Sequence, residues 1–146
     1  MLAIFLIVLV GLLGGVAIGA QAPLASVIGQ RLGMLESIFI IHLGGAVAAG
    51  AALAFLGGGR LGAWQSVPPL ALAGGVLGVV VIGATVYNVP RIGVAAAITL
   101  VITGQLFTGV VIDHFGALGV AARAFSLDRL LGLLAVAFGV WWTLRH

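Results

Sequence analysis

Residues 1–30 read MLAIFLIVLVGLLGGVAIGAQAPLASVIGQ, and this run contains no Asp, Glu, Lys or Arg. An α-helix needs about 20 apolar residues to cross the hydrocarbon core of a bilayer. Further runs without these residues reach that length at 37–59, 61–90 and 92–112. Another apolar stretch, Leu130–Leu144, is long enough to cross the bilayer if the helix starts near Ser126. The first charged side chains of that helix would then lie at the membrane surface. The sequence therefore predicts transmembrane helices at about 2–28, 35–56, 68–87, 92–112 and 126–144.

The composition excludes a water-soluble domain. The chain of 146 residues is 63% hydrophobic and 6% charged, whereas soluble domains have roughly 25% charged residues. So few charged side chains could not cover a surface that faces water, so lipid must surround most of the molecule. We predict an all-α integral membrane protein, a bundle of five helices that forms a single transmembrane domain over residues 1–146 and crosses the cell (inner) membrane several times.

The rare polar residues also exclude several classes of function. The arginines are scattered, so a nucleic-acid partner is not expected. The chain has no cysteine, which leaves no disulfide, zinc-finger or iron–sulfur interpretation. The three acids and three histidines are spread along the chain and form no catalytic constellation. We therefore expect no enzyme activity, no metal site and no cofactor.

Glycines recur at helical spacing inside two of the predicted helices. Gly11, Gly15 and Gly19 are four residues apart and share one helix face, and Gly74 and Gly78 repeat the spacing. Small residues at this spacing let two helix backbones approach closely in lipid. The pattern fits either packing within one protomer or the interface of a dimer, and the sequence does not choose between them.

The distribution of arginines predicts how the chain inserts. With five spans, one side of the membrane receives Arg31, Arg91 and Arg145. The other side receives Arg60, Arg123 and Arg129. Basic residues near helix ends set the orientation, and three against three leaves no bias. This balance favours insertion in both orientations and an antiparallel (inverted) homodimer of ten helices, with a substrate site near the midplane. The alternative is a single orientation set by a partner or by subtler features.

Polar side chains in the middle of the predicted helices are the best candidates for binding a substrate. Gln21, His42 and Gln105 are costly in lipid, so they should face the bundle interior or a water-filled cavity. His42 would exchange a proton near neutral pH, or stay neutral and bond to a neighbouring helix. The amides of Gln21 and Gln105 would coordinate a polar group of the substrate, or hold two helices together.

Further candidates lie at helix ends. Glu36 begins the second predicted helix, where it would complement the helix dipole, pair with Arg31, or attract a cationic substrate at the mouth of the site. Tyr87 and Asn88 end the third predicted helix, and Tyr87 there is either an interfacial anchor or a wall of the cavity. Asp113 ends the fourth, where it opposes the dipole, so we expect it to pair with an arginine of the following loop.

The second half of the chain carries the residues of a recognisable pattern. The pattern includes Gly93-Val94-Ala95-Ala96-Ala97 with Gly104-Gln105-Leu106, and then Asp113-His114-Phe115-Gly116 with Gly119. This order resembles the small, five-helix YdcZ-like branch of the drug/metabolite transporter superfamily. The resemblance implies a transporter-like fold. In the first helix Gln21 fits the family pattern, whereas Gly29 stands where the pattern has an Asn.

These observations lead to two functional hypotheses. The first is a transporter of small organic molecules, drugs or metabolites, that works by alternating access as a dimer, with the substrate bound by Gln21, His42, Gln105, Glu36, Tyr87 and Asn88. The second is a non-transporting membrane subunit that stabilises or regulates a partner. The resemblance implies that Gln21 takes the place of the glutamate that the related small multidrug transporters have in their first helix, and unlike glutamate it cannot ionise.

Overall fold

The computed structural model describes residues 1–57 and 59–145, and every regular element in these ranges is a helix. The α-helices are α1 (Leu2–Leu32), α2 (Met34–Leu56), α3 (Pro69–Leu72), α4 (Gly74–Phe115) and α5 (Leu127–Leu144). Short 3-10 helices lie at Leu61–Ser66 and Ala117–Gly119. The prediction of an all-α membrane protein is confirmed at this level, because the long helices are strongly apolar.

Four helical stretches of the described chain are long and apolar enough to cross a membrane. The third, Pro69–Phe115, has 47 residues, or roughly 70 Å at 1.5 Å per residue. That length is about twice the hydrocarbon core. The stretch is interrupted at Gly93, whose φ of 80° and ψ of 167° are not helical. The described residues therefore supply four spans, or five if the break at Gly93 separates two.

The observed helix bounds differ from the predicted ones in several places. α1 continues past residue 28 to Leu32 and runs through Pro23, because nothing before Gly33 requires a non-helical backbone. The break predicted at residues 88–91 lies instead at Gly93. Pro90 removes one backbone donor without ending the helix, whereas Gly93 can adopt a positive φ because it has no Cβ. The N-cap predicted at Ser126 is confirmed, since its Oγ accepts a hydrogen bond from the backbone N–H of Arg129.

The chain divides into two compact units, one that ends at Pro90 and one that begins at Arg91. In the first unit, α1, α2 and α4 meet around a small core of Ala25, Ile38, Ile82 and Val86. The Ser37 hydroxyl donates a hydrogen bond of 2.7 Å to the Ala25 carbonyl and so fastens α2 to α1. The single transmembrane domain over residues 1–146 stays a prediction.

Gly29 determines how closely α1 approaches α4 within the first unit. A Cβ added to Gly29 would overlap the Cγ1 atom of Val86. The glycine therefore makes room for the valine.

The N-terminal half of α1 is exposed over its whole circumference. Every residue from Leu2 to Ile18 is exposed, and a Cβ added to Gly11, Gly15 or Gly19 would meet nothing within 4 Å. In water such an apolar surface would be unstable. In a membrane it can contact lipid or a second helix.

Candidate functional site

His42 lies at a contact between α2 and α4. Its Nδ1 atom is 2.7 Å from the Ile38 carbonyl oxygen, and because a carbonyl can only accept, Nδ1 carries the proton of this bond. A Cβ added to Gly78 would be 2.6 Å from the Nε2 atom of His42, so the glycine makes room for the ring. Among the described residues, Nε2 has no hydrogen-bond partner. The imidazole is thus held by its Nδ1 atom, while its Nε2 atom lies against Gly78 of α4.

A shallow groove of about 370 Å³ lies beside the imidazole. Its lining is apolar apart from His42 and consists of Leu35, Ile38, Phe39, His42, Gly75, Val76 and Val79. A second groove of about 440 Å³ includes Glu36 and shares Leu35 and Phe39 with the first. Two of the predicted site residues therefore lie on neighbouring surfaces of α2.

The Glu36 carboxylate folds back over the start of α2. A Cβ added to Gly33 would overlap this carboxylate, which places it at the helix N-terminus. That position agrees with the interpretation in which Glu36 complements the helix dipole. Within the described ranges Glu36 forms no ion pair with Arg31. The side chain of Glu36 is exposed.

The other predicted site residues occupy different surroundings. Gln21 is exposed on α1 and lines neither groove, Tyr87 is exposed, and Asn88 is half-buried. These three lie with His42 and Glu36 in the unit that ends at Pro90. Gln105 is exposed on α4 in the unit that begins at Arg91. The convergence of all six residues on one substrate site stays a prediction.

Asp113 forms the expected ion pair with an arginine in the second unit, but this arginine, Arg129, lies in the first turn of α5 and not in the preceding loop. The Arg129 guanidinium donates a hydrogen bond of 3.3 Å to the Asp113 carboxylate, and both side chains are partly exposed. The Asp113 carbonyl also accepts a 2.6 Å bond from the Arg123 backbone N–H. The Phe125 N–H lies 3.4 Å from Nδ1 of His114. The end of α4 thus holds the loop that leads into α5.

The ion pair closes one end of an apolar groove between α4 and α5, which we call the Asp113 groove. It has a volume of about 500 Å³ and is lined by Leu106, Gly109, Val110, Asp113, Arg129, Gly132, Leu133 and Val136. A Cβ added to Gly109 or Gly132 would meet nothing within 4 Å. Sequence reasoning assigned Asp113 only a structural ion pair and missed this groove. The spacing of Gly109 four residues before Asp113, and of Gly132 three residues after Arg129, was the available signal.

Comparison with known proteins provides a match over nearly the whole chain. A family model described as "Putative inner membrane exporter, YdcZ" matches residues 6–142. This match agrees with the resemblance inferred from the residues of the second half. No curated protein and no solved structure matches the chain.

Proposed function

This chain belongs to the YdcZ family of inner membrane exporters, and from that premise we propose that it transports small organic molecules by alternating access as a dimer. It is a multi-pass protein of the inner membrane. The observation that carries the proposal is the family match over residues 6–142, on a chain whose helices suit a bilayer. Exporters move their substrates without chemical change, so the family description does not imply an enzyme.

Two breaks in the helical backbone support alternating access. Gly33 joins α1 to α2 with a φ of 121°, and Gly93 interrupts α4 with a φ of 80°. Transporters commonly place discontinuous helices beside the substrate site and move one part of the structure against another. Each glycine is a point at which the backbone direction can change with little steric cost.

The surface of α1 supports the dimer. The helix carries Gly11, Gly15 and Gly19 on one face, with open space at each Cβ position. A second copy in the inverted orientation would bring an identical glycine face to this surface. The arginines are distributed equally between the two sides of the membrane, so the positive-inside rule favours neither orientation of the chain. An inverted second copy is therefore permitted.

For the substrate site we propose Gln21, His42 and Gln105 as the polar contacts. His42 offers its Nε2 atom, and the two glutamines offer uncharged amides that both donate and accept. Glu36 would attract a cationic substrate with its exposed carboxylate. Tyr87 and Asn88 would complete the wall of the site. These residue types suit a polar or cationic organic molecule more than an anion.

Flux measurements in liposomes test the proposal. We expect the purified protein to move at least one member of a broad panel of metabolites and drugs. We expect Gln21→Ala, His42→Ala and Gln105→Ala each to reduce that flux about tenfold, since losing a hydrogen bond to a bound ligand costs roughly 1–3 kcal/mol. Gln30→Ala is the matched control, because this amide also lies on α1 but donates to Ser26 of its own helix.

The second hypothesis has its own support in the exposed half of α1. This apolar surface could equally dock onto another membrane protein, as expected of a non-transporting subunit that stabilises or regulates a partner. Absence of flux and of ligand binding across the whole panel, with correctly folded protein, would favour this hypothesis over transport.

A further inference from the structure

We propose that the Asp113 groove binds a phospholipid whose headgroup carries both a phosphate and a primary ammonium, as in phosphatidylethanolamine. In this arrangement Arg129 donates to the phosphate, Asp113 accepts from the ammonium, and the apolar part of the groove holds the upper part of an acyl chain. This site is separate from the residues proposed for transport and does not depend on the proposed function.

The polarity of the groove follows the polarity of a lipid at the membrane surface. Asp113 lies in the last turn of α4 and Arg129 in the first turn of α5, so both charges are at the same end of the two helices. From this end the lining continues through Gly109 and Gly132 to Leu106 and Val136. That distance is about 10 Å along either helix, or roughly a third of the hydrocarbon core. The groove therefore has a charged end at headgroup level and an apolar body within the membrane.

The opposite end of α5 supports this depth assignment. Arg145 lies over the ring of Trp141, with 4.1 Å between the guanidinium carbon and the ring centroid. Arginine and tryptophan together are typical of a membrane–water interface. Because α5 has 18 residues, its two ends are about 27 Å apart, close to the thickness of the core. Arg129 and Asp113 therefore lie near the other interface.

The charges at the end of the groove complement a zwitterion. The ion pair is long, at 3.3 Å, and its side chains are 32% and 39% exposed for Arg129 and Asp113. Exposed pairs of this kind contribute little to stability, so a ligand can separate them at small cost. A headgroup with a phosphate and an ammonium replaces one weak bond by two charge-assisted hydrogen bonds. An anionic headgroup would accept hydrogen bonds from Arg129 but would place a second negative charge beside Asp113.

The two glycines provide the space for the acyl chain. No atom lies within 4 Å of a Cβ added to Gly109 or Gly132, so both helices expose bare backbone to the groove. A leucine at either position would occupy the space proposed for the chain. The volume of about 500 Å³ is sufficient for a chain segment but would be reduced strongly by one large side chain.

Native mass spectrometry of the detergent-purified protein tests the proposal. The probes are phosphatidylethanolamine, phosphatidylglycerol and free phosphoethanolamine. We expect phosphatidylethanolamine to bind about tenfold more tightly than phosphatidylglycerol, as two charge-assisted hydrogen bonds predict. We expect Arg129→Gln and Asp113→Asn to abolish this preference. Free phosphoethanolamine should bind far more weakly because it has no acyl chain.

Variants that leave the charges intact separate lipid binding from folding. Gly132→Leu should release the lipid, whereas Gly139→Leu should retain it, because Gly139 lies on the same helix with open space but outside the groove. Circular dichroism and monodispersity should be the same for both variants. The proposal is overturned if Gly132→Leu retains the lipid, if both phospholipids bind equally well, or if phosphoethanolamine alone binds as tightly as the lipid.

Discussion

Gly33 is the single residue between α1 and α2, and its backbone angles are φ 121° and ψ 161°. This region of backbone space is accessible almost only to glycine. The residue allows Ser37 and Ile38 of α2 to return to Ala25 of α1, where the small core of the first unit begins. One backbone conformation thus decides where two apolar helices contact each other.

Replacement of Gly33 tests this role at the residue scale. We expect Gly33→Ala to lower the free energy of unfolding by about 1–3 kcal/mol, because the Cβ atom makes the observed φ and ψ unfavourable. Thermal unfolding in detergent, followed by circular dichroism, measures the loss. Gly50→Ala on α2 is the control, since its Cβ would meet nothing within 4 Å and alanine favours a helix. Equal midpoints for the two variants would contradict the argument.

At the scale of the elements, glycines decide which helices come close together. Val86 of α4 occupies the Cβ position of Gly29 on α1, and the ring of His42 on α2 lies against Gly78 of α4. In each pair a large side chain fills the space that a glycine leaves on the neighbouring helix. Without a strong hydrophobic force between helices in lipid, such close packing supplies much of the attraction.

A double-mutant cycle tests the contact between α1 and α4. We expect Gly29→Ala to destabilise the protein by about 1–3 kcal/mol, because the methyl group overlaps Val86. Val86→Ala should remove the overlap, so the double variant should be less destabilised than the sum of the two single variants. Urea or thermal unfolding of the wild type, the two single variants and the double variant in the same detergent gives the coupling free energy.

The matched control for this cycle is Gly14→Ala. Gly14 lies on the same helix with open space at its Cβ position, so its replacement should not couple to Val86→Ala. Additive effects in the Gly29 cycle, within about 0.5 kcal/mol, would show that the two helices do not approach as described.

For the whole molecule, the main question is what covers the exposed half of α1. The face that carries Gly11, Gly15 and Gly19 is open along about two turns. Lipid tails can cover it, but a second copy would pack more closely against glycine than a mobile acyl chain can. The antiparallel dimer proposed above gives this face a specific partner.

Single cysteine substitutions test the dimer directly, because the natural chain contains no cysteine. In an antiparallel pair of α1 helices we expect Gly15→Cys to cross-link with itself, and Gly11→Cys to cross-link with Gly19→Cys. Leu13→Cys lies on the opposite face of the helix and should remain monomeric. Cross-linking yields on denaturing gels, measured in native membranes, provide the result.

The pattern of cross-links distinguishes the possible arrangements. Self-linking of Gly11→Cys with no Gly11–Gly19 product would indicate a parallel pair and contradict the inverted dimer. A C-terminal tag that is accessible from only one side of intact cells would likewise contradict insertion in both orientations. Equal cross-linking of Leu13→Cys would show random collision rather than an interface.

Local properties of the chain predicted most of the architecture. Apolar runs free of charged residues predicted membrane helices, because hydrophobicity and length are properties of each segment alone. The N-cap at Ser126 and an ion pair for Asp113 were likewise predictable, since both follow from the chemistry of helix ends. The break in α4 lies a few residues after the predicted one, because Pro90 removes a single backbone donor without ending the helix, whereas Gly93 can adopt a positive φ.

The sequence by itself determined that this protein is embedded in a membrane. It also determined, to within a few residues, where most of its helices begin and end, and which polar side chains lie within the apolar helices. Only the tertiary structure decided that Val86 fills the space at Gly29, that the His42 ring is held by Ile38 against Gly78, and that Asp113 and Arg129 close an apolar groove. The physical reason is that hydropathy is carried by each residue separately. A contact or a groove exists only between two segments, and it depends on which faces they turn toward each other.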